Sequence, residues 1–179
     1  MDHFENIVAT LLEADGYWVR QSFKVNVTKE EKVRIGKPSI PRPEIDLLAL
    51  KLDRNEIIAF EAKSFLDSPG VDLTELQEAH EQPTGRYKLF TCERYRTIVL
   101  ERLLADLVAL GMATPKTQVR LGLAAGKIRS GQSKTLEAFM LERQWEFWSP
   151  EVIKQKVEAL ARRGYENDPA IITAKILMR

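Results

Sequence analysis

Pro43-Glu44-Ile45-Asp46-Leu47-Leu48-Ala49-Leu50 and Ile57-Ile58-Ala59-Phe60-Glu61-Ala62-Lys63 are the two stretches whose reading decides the fold. Both are apolar runs of strand length bounded by turn formers: Pro41 and Pro43 precede the first, and Asp53-Arg54-Asn55 separates them. That pattern predicts adjacent strands of a hairpin covered on both faces. Side chains alternate along a strand. Glu44, Asp46, Leu48 and Leu50 therefore share one face of the first strand, and Ala59, Glu61 and Lys63 share one face of the second. Three carboxylates and an ammonium meet near one end of the hairpin, where burying an unpaired charge would be expensive.

Outward from this hairpin, Phe4, Ile7, Val8, Leu11 and Leu12 fall at helical spacing behind a capping Asp2. Asp15-Gly16 ends that helix, and Tyr17 to Val27 reads as a strand. Thr28-Lys29-Glu30-Glu31 matches a capping box, predicting helix from Thr28 to Ile35, with a hairpin of Lys24–Val27 against Lys32–Ile35 as the alternative. The proline-rich Lys37 to Pro43 is an extended lead-in. Further along, Val71 to Ala79 reads as a short helix, Arg86 to Phe90 as a strand, Glu93 to Gly111 as a long helix and Thr117 to Ala125 as a strand. Lys134 to Arg143 reads as helix and Trp145 to Trp148 as a last short strand. Ser149-Pro150 and Asp168-Pro169 start two terminal helices. The order predicts a three-layer α/β/α plan with a central mixed sheet and additional C-terminal helices.

The chain has 179 residues, 44% hydrophobic and 30% charged, which suits one domain over 1–179 with a core of about 3–148 and a helical extension of about 149–179. The formal net charge of +1 excludes no class of partner. A single cysteine, Cys92, implies a reduced thiol, and no segment reads as a signal peptide or membrane span. The expectation is a soluble cytoplasmic protein.

Asp46, Glu61 and Lys63 have a spacing with chemistry behind it. Two carboxylates from adjacent strands suit Mg²⁺, which takes oxygen ligands and keeps waters. A lysine two residues after one of them, on the same face, can orient water or neutralise charge on a phosphate. The acidic residue followed by Glu-x-Lys resembles the PD-(D/E)xK nuclease superfamily, in its Mrr-like and Holliday-junction-resolvase-like branch. Phe4-Glu5-Asn6-Ile7-Val8 and Leu11 to Val19 resemble the first helix and strand of that branch.

The resemblance covers about residues 3–65 and implies a restriction-endonuclease-like fold and metal-dependent hydrolysis of DNA phosphodiesters. It implies Asp46, Glu61 and Glu5 as ligands of Mg²⁺ or Mn²⁺ and Lys63 as the residue that activates water. It also implies DNA as partner, compatible with a homodimer. The superfamily contains members that bind without cutting, so a silent nucleic-acid-binding module is the alternative.

Glu44, next to the proline, is either a further acid or an exposed residue. Lys32, Arg34, Lys37 and Arg42 precede the acidic strand and are candidate phosphate contacts, although Glu30 and Glu31 lie beside them. His3 and His80 are isolated, and Trp145, Phe147 and Trp148 read as core.

Overall fold

The first helix begins at the cap that the sequence provides: Asp2 Oδ1 accepts the Glu5 N–H at 2.8 Å, and the Glu5 carboxylate turns back to the Asp2 N–H at 3.4 Å. This helix, α1 (His3–Ala14), buries Val8, Ala9, Leu11 and Leu12. It belongs to a computed structural model that describes residues 2–164 and 166–178. Strand β1 (Trp18–Lys24) follows. The second capping box is formed as well: Thr28 Oγ1 accepts the Glu31 N–H, and Glu31 returns to the Thr28 N–H at 2.8 Å. It starts α2 (Lys29–Ile35), which Gly36 closes at φ 83°. Of the two readings of this segment, the helix is the one formed.

The charged hairpin is β2 (Glu44–Lys51) and β3 (Glu56–Lys63). It pairs antiparallel from Lys51 opposite Glu56 to Leu47 opposite Phe60. Short helices α3 (Leu73–Gln77) and α4 (Lys88–Thr91) lead to the long α5 (Glu93–Ala109). Strand β4 (Gln118–Ala125) runs parallel to β3, and after α6 (Ser133–Glu142) β5 (Glu146–Trp148) runs parallel to β4. The chain continues into α7 (Pro150–Ala161) and α8 (Pro169–Leu177). The result is an α/β fold with a five-stranded mixed sheet in the order β1-β2-β3-β4-β5, flanked by helices.

Alternation along the central strands feeds two cores. Leu48, Leu50, Ile57, Ala59, Leu121 and Leu123 pack with residues of α5 and α6 on one face. Leu47, Ala49, Ile58, Phe60 and Ala124 pack with α1, α7 and α8 on the other. The strands therefore read as unbroken apolar runs because both faces are covered. Ile153, Leu160 and Ile171 are buried in the second core, so the C-terminal helices cover the sheet itself. Gly122 in β4 is dictated by close approach: a Cβ there would stand 2.7 Å from the Phe60 ring. Among the described residues no helix is long and apolar enough to cross a membrane.

One element differs from its sequence reading. Arg86–Phe90 reads as a strand, but Phe90 N and Thr91 N both donate to Tyr87 O, at 2.7 and 2.9 Å, and the segment is α4. The buried residues Tyr87, Phe90 and Thr91 sit at helical spacing. With five residues the window is too short for period alone to tell the two structures apart.

Candidate active site

The sheet opens at Asp46. The β2–β3 ladder ends at Leu47 opposite Phe60, and the β1–β2 register passes from Gln21 opposite Leu47 to Phe23 opposite Ile45. Ser22 faces Asp46 across this gap, and its φ of 52° is left-handed, a conformation costly for a residue with a Cβ. On the other side, Asp46 Oδ2 accepts the Ala62 N–H at 2.9 Å. A side chain thus replaces a backbone acceptor where β3 leaves β2, and Asp46, Glu61 and Lys63 come together in the opening.

Lys63 Nζ lies 2.8 Å from Glu61 Oε2 and 3.5 Å from Asp46 Oδ2, bridging the two carboxylates. The three side chains are only 18%, 12% and 20% exposed for Lys63, Glu61 and Asp46. Burial pushes the Glu61 carboxyl up, the Lys63 ammonium opposes this, and the Asp46 charge adds to it. Burial also disfavours the Lys63 ammonium, but the charges of Glu61 and Asp46 outweigh it and hold its pKa above the ordinary lysine range. The cluster carries one net negative charge when all three groups are ionised.

Each carboxylate keeps an oxygen to spare. Asp46 Oδ1 and Glu61 Oε1 have no hydrogen-bond partner among the described residues, yet no buried side-chain polar atom there is unpartnered, so both oxygens reach solvent. Two open carboxylate oxygens from neighbouring strands form a donor set that suits a hard divalent cation.

The remaining candidates fall elsewhere. Glu5 is within electrostatic reach of Asp46: burial raises its pKa, and the Asp46 charge raises it further. Its carboxylate, however, is turned to the Asp2 N–H. Among the described residues no group of three His, Cys, Asp or Glu side chains is arranged to hold a metal ion. Glu44 is exposed and paired with Lys24 at 3.8 Å. Lys37 Nζ donates to Pro83 O at 2.6 Å and Arg42 Nη1 to Asn26 Oδ1 at 2.8 Å. Lys32 and Arg34 lie on α2. No hydrogen bond or ion pair links these four to Asp46, Glu61 or Lys63.

Two neighbours of the site were not singled out in the sequence. Lys88, on α4, is close enough to lower the Glu61 pKa, and its Nζ lies 5.8 Å from the centre of the Tyr95 ring. Tyr95 is 1% exposed, and burial and the Glu61 charge both raise its hydroxyl pKa. A four-residue helix leaves no period that would mark the first, and nothing in the spacing of a long helix marks the second. A cavity of about 640 Å³ lies between α1, α7 and α8 and is lined by none of Asp46, Glu61 and Lys63.

No protein-family model, curated protein or solved structure matches this chain.

Proposed function

We propose that this chain is a metal-dependent DNA endonuclease of the PD-(D/E)xK superfamily with a restriction-endonuclease-like fold. One observation carries it: Asp46 and Glu61 meet where β2 and β3 separate, each with an open oxygen, and Lys63 Nζ sits between them. Asp46 and Glu61 would hold Mg²⁺ or Mn²⁺, which would supply Lewis-acid stabilisation to the phosphate being cleaved. Lys63, kept charged by its two neighbours, donates hydrogen bonds and can orient the attacking water or neutralise phosphoryl charge. Lys88 adds a second positive charge from the helix side. Cutting both strands of a duplex would be simplest with two copies of the chain.

The test is incubation of purified protein with plasmid, branched and single-stranded DNA, with Mg²⁺, Mn²⁺ or chelator. Cleavage is expected only with metal, lost in Asp46→Ala and reduced about 100-fold or more in Lys63→Ala, the scale of a lost acid–base group. Equal cleavage by wild type and Lys63→Ala would refute the proposal.

A second reading, a nucleic-acid-binding module of the same fold that does not cut, is favoured by the Lys63 bridge, which already neutralises one carboxylate without a metal. DNA binding without metal uptake or cleavage would decide for it.

A further inference from the structure

Three arginines line a cavity of about 240 Å³ beside the first residues of β4: Arg96 of α5, Arg120 of β4 and Arg143 at the end of α6. Glu61 is level with Leu123 in the β3–β4 register, whereas the cavity is level with Val119 and Leu121. It therefore lies toward the opposite end of the strands from the Asp46 opening.

Arg120 is satisfied. Its Nε donates to Glu56 Oε1, its Nη2 is 3.6 Å from Glu146 Oε2, and its Nη1 donates to Gln144 O at 3.3 Å. Arg96 and Arg143 are not. Arg96 Nη1 donates to the carbonyls of Leu89 and Phe90, at 3.3 and 3.0 Å, while its Nε and Nη2 have no acceptor among the described residues. Arg96 has no carboxylate at ion-pair distance there, and burial disfavours its charge. Arg143 makes no hydrogen bond to the described residues, and its one carboxylate, Glu142 at 3.6 Å, is 79% exposed and contributes little.

Trp145 holds the two guanidiniums together. Arg96 lies 5.3 Å and Arg143 5.7 Å from its ring centre, and Arg143 also covers Phe139 at 3.8 Å. The turn that delivers Trp145 passes through Gln144 at φ 57°, whose carbonyl Arg120 anchors. Aromatic faces attract the cations without cancelling their charge. Two like charges are thus held beside one cavity with Nε and Nη2 of Arg96 and the whole Arg143 fork unspent, the arrangement in which guanidinium forks take up phosphate.

We propose that this cavity is a phosphate-binding site, separate from the Asp46 opening, in which Arg96 and Arg143 clamp the phosphate and Arg120 fixes the turn beneath it. With Trp145 covered by both guanidiniums and edged by Phe90 and Phe139, the site reads the phosphate group rather than a stacked base. The phosphate could belong to a nucleic-acid backbone or to a small phosphate ester.

The test is titration of the full chain, in chelator, with inorganic phosphate, a nucleoside monophosphate and a short DNA duplex, followed by tryptophan emission and calorimetry. Saturable binding is expected, weakened at least tenfold by Arg143→Gln and partly retained by Arg143→Lys. The emission change should vanish in Trp145→Phe, which would identify Trp145 as its source. Binding of phosphate or the nucleotide assigns the site to small esters, and an Arg143-dependent response to the duplex alone assigns it to nucleic acid. The proposal fails if none of the three binds saturably, or if Arg96→Gln and Arg143→Gln both bind as wild type does.

Discussion

Asp46 Oδ2 accepts the backbone N–H of Ala62, joining a candidate ligand on β2 to the residue between Glu61 and Lys63 on β3. One carboxylate therefore has two duties, closing the backbone where the strands part and presenting a free oxygen to the opening. Asp46→Ala leaves the Ala62 N–H without its acceptor, and Ala62 is 6% exposed. A buried unsatisfied donor costs about 1–3 kcal/mol. Asp46→Ala should lower unfolding free energy in urea by that amount, and Asp46→Asn, which keeps an oxygen acceptor, by clearly less. Both should lose divalent-metal uptake in calorimetry, so stability and metal affinity should separate in the asparagine variant.

Gly126 fixes the far end of β3 against β4. Its N–H donates to Lys63 O at 2.9 Å, and a Cβ at this position would stand 2.6 Å from Ser64 O. Gly126→Ala must therefore push the Lys63–Ser64 backbone away from β4. The expected outcome is a lower cleavage rate with retained metal uptake. Metal uptake that falls in step with the rate would show that the whole opening had collapsed rather than that Lys63 had shifted.

Acid sensitivity should come in part from Glu31 on α2. Arg102 Nε donates to both of its carboxylate oxygens at 3.1 Å, and the Thr28 N–H donates to one of them at 2.8 Å. The Arg102 hydrogen bonds, opposed by burial and aided by Thr28, hold Glu31 below its ordinary value of 4.5. A carboxyl whose folded pKa is depressed contributes stability above its unfolded pKa and loses that stability as pH falls through the folded one. Glu31→Gln should cost about 1.5–3 kcal/mol at pH 7, the range for hydrogen bonds to a charged group. In urea unfolding across pH, the gap between wild type and variant should narrow below about pH 4.5. A gap independent of pH would place the effect in packing instead.

The hairpin was legible because its signal is redundant. Apolar runs, flanking prolines and the Asp53-Arg54-Asn55 turn all specify the same two strands, and period two then puts Asp46, Glu61 and Lys63 on matching faces. Capping chemistry likewise placed α1, α2, α7 and α8, whose caps Asp2, Thr28, Ser149 and Asp168 all accept backbone N–H groups. Three features could not be read this way. The left-handed Ser22 sits level with Asp46 at a break in the β1–β2 register, which is a tertiary feature. Glu5 serves equally well as a cap and as a ligand, and only the fold turns its carboxylate to Asp2. Lys88 lies in a segment whose helix is a single turn, shorter than the period needed to recognise it.

Lys88 offers the sharpest separation of substrate binding from metal binding. It has no carboxylate at ion-pair distance among the described residues, so its charge is not consumed by the fold, and it is near enough to Glu61 to lower that carboxyl's pKa. If that charge meets a DNA phosphate, Lys88→Ala should weaken DNA binding uniformly across sequences. It should also flatten the plot of log affinity against log salt by about one unit of slope, the signature of one lost phosphate contact. Metal uptake should persist, because the Asp46 and Glu61 oxygens are untouched. An unchanged salt slope, measured by fluorescence anisotropy with labelled duplex, would assign Lys88 to holding the Tyr95 ring, and thermal unfolding would then show a loss of stability in its place.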